Sequence, residues 1–454
     1  MSSLGHDVLC VVFSFLDVFD LIRCSAVCSH WNRIIHKSQL LEDLFQRKYG
    51  NALVSPNPAG IPRRCLWEHL QDMALAQHRR ALTGGCATID QWKGHSAGAS
   101  KCRMRMGLIV TGGSDRVMRL WSAGTYKCLE EYSIPDAGSL VDFDFDENKI
   151  VGLLGAHLCI WRRTGTRSLF PSREGSFARG LCMSYIDPEA MVGCEDGTVR
   201  VFDMYSKKCT RIIRMHPCPV TCLTLSEEQL IFSGSSLGSI TISGLSSDER
   251  VAKLRSTDLT GIKTLCYNPI SNTLFAGSTA GYASCWDLRR MAVLWETRVS
   301  PNVVYSLGHL IKDRSSLVVG GIDGVLRVLD QNTGEVISSY VMEEGTVSSA
   351  SSKSISRRRG RRLLEDDHLD SIPKTARPSI TCLAVGMNKA VTTHNGKYIR
   401  ISSHNVSKGL RPRRQDGAVV YRQVKTVQEH RERSNHKKWT MGICSMEYPF
   451  VIIP

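Results

Sequence analysis

No hydrophobic run near the start of the 454-residue sequence is long enough to cross a bilayer. The densest, residues 8–16, covers nine residues, against the ~20 that a spanning helix needs. It also fails as a secretion signal, because no basic segment precedes it and Asp7 stands where one belongs. The 17 cysteines form no C-x-x-C pair; the closest approaches are Cys24/Cys28 and Cys218/Cys222. An odd number of scattered thiols excludes a disulfide scaffold and reads as reduced cysteine in an intracellular protein, in nucleus or cytoplasm. His216 beside Cys218 and Cys222 has the look of half a zinc site, but core cysteines of strands are the simpler reading, so no metal or other cofactor is expected. There is no glycine-rich phosphate loop, no H-E-x-x-H and no Ser/His/Asp grouping, which disfavours an enzyme. Asp142, Asp144 and Asp146 suggest calcium at first sight, yet their alternation with Val141, Phe143 and Phe145 marks a strand with one solvated face.

Charge is present in excess and is clustered. The formal net charge is +15. Residues 351–378 hold eight Lys/Arg against four Asp/Glu, a net +4, and residues 404–438 hold ten against three, a net +7. The remainder of the chain is close to neutral. A basic cluster suits an acidic partner.

A worn internal repeat runs through most of the chain. Trp121, Trp161, Phe202, Ser243, Trp286, Leu329 and Ile401 close similar strands at spacings of 40, 41, 41, 43, 43 and 72 residues. A period near 42, with a Gly/Ser turn, an Asp-Gly-like corner and an alternating strand, is the mark of a four-stranded propeller blade. The last gap exceeds one period by about 30 residues, matching the basic insertion at residues 345–378. The "EDGT" turn at Glu195 supplies the positive-φ glycine of a tight hairpin. "CATIDQWK" (residues 86–93) reads as an outer strand able to complete the last blade, and residues 419–428 compete for that place. Seven blades are expected; eight, with the last shared between the termini, stays open.

Residues 6–35 precede the repeats. Val8, Val12, Phe15 and Leu16 share one helical face, as do Leu21, Cys24, Cys28 and Trp31, with Asp17 and Asp20 between them and Asp20 placed to cap a helix. Residues 51–62, with three prolines, end this unit, and residues 63–82 form a longer amphipathic helix.

Leu4, Asp7, Leu9, Phe13-Ser14, Leu16, Asp20-Leu21, Ser25, Val27-Cys28 and Trp31 resemble the F-box without a gap, with Gly5 where that family has proline. The repeats, from about Gly84 onward, are similar to the WD-repeat family, including Gly94-His95 and the single Trp286-Asp287. The combination resembles the F-box/WD-repeat substrate receptors of SCF-type ubiquitin ligases. The resemblance implies a small α-helical F-box module at residues 1–50, a linker with an amphipathic helix at 51–83 and an all-β WD-type propeller at 84–454. It also implies a non-catalytic receptor subunit, with the F-box docked on a Skp-type adaptor that leads to a cullin scaffold. Leu4, Val8, Leu9, Leu16, Leu21, Val27, Cys28 and Trp31 are the expected docking residues.

The propeller is expected to bind a protein target, acidic or phosphorylated, whose identity the sequence does not give. In WD-type propellers one rim is formed by the start of each innermost strand and the turn before the corner Asp. That places Arg179, Glu195, Thr221, Lys263, Tyr305, Thr381 and His394 on the rim, with Arg179, Lys263 and His394 as candidate receivers of negative charge. The run Arg357, Arg358, Arg359, Arg361 and Arg362 reads as a nuclear-localisation signal, a clamp for an acidic partner or a flexible loop. An RNA- or chromatin-associated scaffold is the alternative function. The basic segments hold few aromatics beyond Tyr421 and Trp439, which speaks against nucleic acid.

Overall fold

The computed structural model describes residues 6–16, 21, 24, 29–38, 40, 43–44, 71–134, 138–163, 178–245, 250–255, 260–342, 355–364, 369–375 and 377–405, and the backbone of 63–70, 168–169, 413–415 and 418–420. Two compact units divide the chain, one built mainly on residues 1–76 and one on residues 77–122 and 126–436.

The first unit is helical. Helices α1 (His6–Ser14) and α2 (Ser29–Lys37) pack on each other. Leu9 and Phe13, four apart on α1, meet Leu21, Ile34 and Ile35 in a small core. Trp31 packs edge-on against Phe13, with ring centroids 5.3 Å apart. Met73, on the long helix α3 (Arg63–Gly84), joins the same core.

The second unit is a ring of seven blades. Blade one holds β2–β5 (Ala99–Arg105, Leu108–Gly113, Val117–Ser122, Cys128–Ser133) and blade two β6–β9 (Leu140–Phe145, Lys149–Leu154, His157–Arg162, Ser168–Leu169). Blade three holds β10–β13 (Gly180–Ile186, Glu189–Cys194, Thr198–Asp203, Lys208–Arg214) and blade four β14–β17 (Val220–Leu225, Leu230–Ser235, Ser239–Gly244, Arg250–Arg255). Blade five holds β18–β21 (Ile262–Asn268, Thr273–Ser278, Tyr282–Asp287, Ala292–Arg298) and blade six β22–β25 (Val304–Gly308, Ser316–Gly321, Leu326–Asp330, Val336–Met342). Blade seven takes β27–β29 (Cys382–Gly386, Lys389–Thr393, Tyr398–Asn405) and is completed by β1 (Cys86–Lys93), which pairs antiparallel with β29. The innermost strand β27 packs directly on β2, so the ring closes at seven and leaves no place for an eighth blade. Of the two competitors for the outer strand, residues 86–93 take it; the other begins in a separate hairpin, β30 (Arg413–Gln415) with β31 (Ala418–Val420), and continues beyond the described residues.

Middle strands are buried on both faces, as in β11, where Ala190, Met191, Val192 and Cys194 are enclosed; outer strands such as β13 expose most of theirs. Core therefore lies between blades, with Trp286, Phe232 and Phe275 among its fully enclosed side chains. Gly197 has φ +83°, and a Cβ there would collide with the His216 carbonyl, which is why the turn after Glu195 demands glycine.

The insertion between blades six and seven contains a strand, which departs from the flexible loop that was one of its three readings. Its described part contains β26 (Ser356–Arg362), which pairs with β25 through 360–362 and with β1 through 356–359. One arginine-rich strand thus joins two blades into a nine-stranded sheet. Residues 369–371 then form a 3-10 turn, and Ile372 packs with Val325 and Val341.

The last two turns of α3 belong to the propeller unit. His78 is fully buried, its Nδ1 accepting the Asn388 N–H at 2.9 Å. Leu82 packs beside Val328 and Tyr340, and its carbonyl accepts the Tyr340 hydroxyl at 2.9 Å.

Candidate functional site: a helical docking face and a propeller rim

The α1 helix is two-sided. Val8, Val11, Val12 and Phe15 follow the i, i+3, i+4, i+7 spacing and face outward, 49%, 58%, 50% and 85% exposed. Leu9 and Leu21, expected to dock a partner, are instead 4% and 0% exposed and form the module's own core. Leu16 and Trp31 are half-buried against that core. Leu4, Val27 and Cys28, and the Asp20 cap, lie outside the described residues. The sequence reading missed Val11, although its spacing from Val8 and Phe15 carried the signal.

On the propeller, innermost strands of six blades begin with a bulge, between Ala99/Lys101, Leu140/Asp142, Gly180/Cys182, Val220/Cys222, Ile262/Thr264 and Val304/Ser306. A bulge leaves its extra residue unpaired and turns it away from the ladder. Lys263 and Tyr305 are two of these residues, the first exposed and the second half-buried. Thr221 occupies the same place in blade four, but its hydroxyl donates to the Ile262 carbonyl of blade five. Thr381 donates to the Thr393 carbonyl at 3.1 Å. These two hydroxyls tie backbone together and leave Lys263 and Tyr305 as the side chains with capacity for a ligand. Arg179 is exposed just before β10, and its carbonyl accepts the Glu195 N–H at 2.9 Å, so one acid and one base stand side by side there.

His394 does not serve as a rim cation. Its Nδ1 bonds the Pro378 carbonyl at 3.1 Å and its Nε2 the Thr392 hydroxyl at 2.9 Å. Burial, and the nearby Arg400 after it, push its pKa down to about 3, so the ring is neutral.

The arginine strand is partly committed. Arg357 grips Asp90 with two bonds, Nε–Oδ1 at 2.7 Å and Nη2–Oδ2 at 3.0 Å, and Tyr126 adds a third to the same carboxylate. Arg362 donates to the Ile337 carbonyl at 3.2 Å. Arg358 is half-buried, and Arg359 and Arg361 are exposed.

The three-aspartate strand also differs from expectation. Asp142 and Asp144 are 3% and 4% exposed rather than solvated. Asp142 pairs with Arg103 at 3.2 Å and Lys101 at 3.6 Å, and Asp144 with Arg105 at 3.1 Å. The alternating charges of β2 and β6 thus bind blade one to blade two. His216 spends both ring nitrogens on the Ser239 and Ser233 hydroxyls, at 3.1 and 2.9 Å.

An outward apolar helix face on one unit and a bulge-lined rim on the other define a two-module protein that binds other proteins. A family profile described as F-box-like matches residues 1–47. An F-box/WD-40 repeat-containing protein of Arabidopsis thaliana is 49% identical over 432 residues, 90% of this chain and 95% of the relative. The crystal structure of the computationally designed Ika8 protein superposes with a TM-score of 0.50 at 15% identity, covering 69% of this chain and 98% of that one, a likeness of fold alone. The chain belongs to the F-box/WD-repeat family. Its role is of the substrate-receptor type, and its F-box implies a Skp-type adaptor as partner.

Proposed function

We propose that the chain is the substrate-recognition subunit of an SCF-type ubiquitin ligase. The F-box module docks a Skp-type adaptor and, through it, a cullin scaffold, and the propeller holds the target protein. The chain itself is a non-catalytic receptor in this reading. The carrying observation is the exposed stripe Val8, Val11, Val12 and Phe15 on a module that packs its core from the opposite helix face. Covering a fully exposed side chain of this kind contributes about 1.5–3 kcal/mol, so the half-exposed valines contribute roughly half of that and Phe15 most of it. Holding a target raises the effective concentration of its lysines at the transfer site.

The test is co-purification with the adaptor. Phe15→Asp sets a charge in the docking face without touching the module's core, and it should weaken adaptor binding by about 30-fold or more. Undiminished adaptor recovery with Phe15→Asp rejects the docking assignment. Trp31→Ala is the poorer probe, because Trp31 packs on Phe13 inside the module.

At the propeller, Lys263, Tyr305 and Arg179 are the proposed contacts for the target. Action inside the cell, in nucleus or cytoplasm, belongs to the same proposal. Imaging a fluorescent fusion checks it, and a wholly extracellular signal rejects it.

A further inference from the structure

The ring of blades is closed without a covalent bond, by β1 pairing with β29 and by β27 packing on β2. A cysteine stands on each side of that seam. Cys102 on β2 and Cys382 on β27 are 280 residues apart in sequence, and both are buried. The Cys382 thiol donates to the Cys102 carbonyl at 3.4 Å, and the two thiols hydrogen-bond with each other. Arg103 Nη1 donates to the Cys382 sulfur at 3.8 Å and to the Cys102 carbonyl at 3.4 Å. One guanidinium thus touches both cysteines.

The charge around Cys382 is positive. Lys101 and Arg103 share one carboxylate, that of Asp142, while Asp144 is engaged by Arg105, so one positive charge is left over beside the sulfur. Hydrogen bonding from Cys102, and after it the Arg103 and Lys101 charges, hold the Cys382 thiol below the ordinary thiol range in spite of its burial. Cys102 is pushed the other way, by the same hydrogen bond first and by burial second. The pair therefore holds one sulfur ready to act as a nucleophile and one that keeps its proton. The Arg103 side chain is 30% exposed, so its guanidinium leads from water to the sulfur. Cys182 and Cys222, on the innermost strands of blades three and four, form a contrast. Their thiols donate to the Val220 and Ile262 carbonyls at 3.6 and 3.8 Å, and burial pushes both up.

We infer that Cys382 is a site of oxidation by a hydroperoxide and Cys102 its resolving partner, so that oxidation joins blades one and seven by a disulfide. The Cys382 thiolate attacks one oxygen of hydrogen peroxide. The S–O bond forms, the O–O bond breaks, and the hydroxide that leaves takes up the proton released by the thiol, which gives water and a sulfenic acid. The Cys102 sulfur then attacks that sulfur. The S–S bond forms, the S–O bond breaks, and the hydroxyl leaves with the Cys102 proton as a second water. Two electrons pass from the two thiols to the peroxide. Arg103 stabilises the attacking thiolate. In a reducing compartment such a bond is transient, made under oxidant and removed by thiol exchange. It converts the seam of the ring from packing to a covalent link, and it does not depend on adaptor docking.

The experiment treats the full chain, reduced and then freed of reductant, with a graded series of hydrogen peroxide. Alkylation followed by peptide mass spectrometry reads each cysteine, and thermal unfolding reads the ring. A linked Cys102–Cys382 peptide should appear before the exposed Cys86 and Cys128 are oxidised, with Cys182 and Cys222 still reduced. The Tm should rise by about 5 °C, because the bond closes a long loop, and added thiol should reverse the rise. Cys102→Ser should stop at a sulfenic acid on Cys382, trapped by dimedone, with no rise in Tm. Arg103→Gln should slow cross-linking about tenfold and move its pH profile to higher pH. Absence of the linked peptide from wild type once Cys86 and Cys128 are oxidised overturns the inference, as does an Arg103→Gln variant with unchanged rate and pH profile. The wild-type peptide map decides the matter even where a variant fails to fold. Phe15→Asp should cross-link as wild type does, which separates this result from the adaptor test.

Discussion

The helical module and the propeller bury their apolar side chains in different ways. In the module, α1 turns Leu9 and Phe13 inward and leaves three valines outward, with Phe15 just after it. In the propeller, large apolar side chains such as Trp286 and Phe275 lie enclosed between blades, while others such as Leu237 and Ile311 stand singly exposed on its surface. A module of some 40 residues has little interior in which to bury apolar side chains, whereas a ring of seven blades buries large ones between neighbouring blades. On the module the exposed apolar side chains form one stripe, and it is this stripe that the proposed docking on an adaptor uses.

The largest expected effect breaks that comparison inside α1. Phe13→Ala opens a cavity beneath Trp31 and should cost about 3–5 kcal/mol, enough to unfold the module. Phe15→Ala, two residues on, should change stability by less than about 0.5 kcal/mol. Hydrogen exchange of α1 and α2 amides separates the two, because the propeller supplies an internal control. Equal loss of protection in both variants would show that α1 has no outward face.

Much of this division was legible in the sequence. The 42-residue period gave the blades, the 72-residue gap placed the insertion, and residues 86–93 were recognisable as an outer strand. Which apolar residues of α1 face inward was not legible, because Val8 and Leu9 are both apolar and only the positions of Leu21, Ile34 and Ile35 select one side. The charged residues were harder still. Asp142 looked solvated because alternation reports that a face differs, and not that Arg103 on the neighbouring blade covers it. None of the three readings of the arginine run was a strand, because charge masks strand propensity; two neighbouring edges, on β25 and β1, hold its backbone in place.

The next effect concerns pH and belongs to the propeller. Burial pushes His216 and His404 down to about 4 and His394 to about 3. Between the ordinary histidine value near 6.5 and these values, the unfolded chain binds more protons than the folded one. The contribution of these three rings is therefore full above about pH 6.5, falls as pH drops through that window, and is lost below about 4. Each histidine contributes on the order of 3 kcal/mol across it. Thermal unfolding of the propeller between pH 7 and 4 should follow this slope, and His216→Gln should flatten it. A propeller Tm independent of pH over that range would contradict the burial of all three rings.

The smallest effect lies along β26, where two neighbouring arginines have unequal work. Arg357 is 72% exposed, yet it neutralises Asp90, which is 2% exposed and sits in the strand that closes the ring. Removing the cation leaves a buried carboxylate with Tyr126 as its remaining side-chain partner among the described residues, and the exposure of Arg357 softens the loss by solvent screening. Arg357→Gln should therefore cost about 1–2 kcal/mol. Arg359 is exposed and forms no ion pair among the described residues, so Arg359→Gln should stay within about 0.5 kcal/mol. Denaturant unfolding of the two variants side by side resolves the difference. If they match, the basic strand is held by its backbone pairing to β25 and β1 alone, and the Arg357–Asp90 bond adds nothing to the seam between blades six and seven.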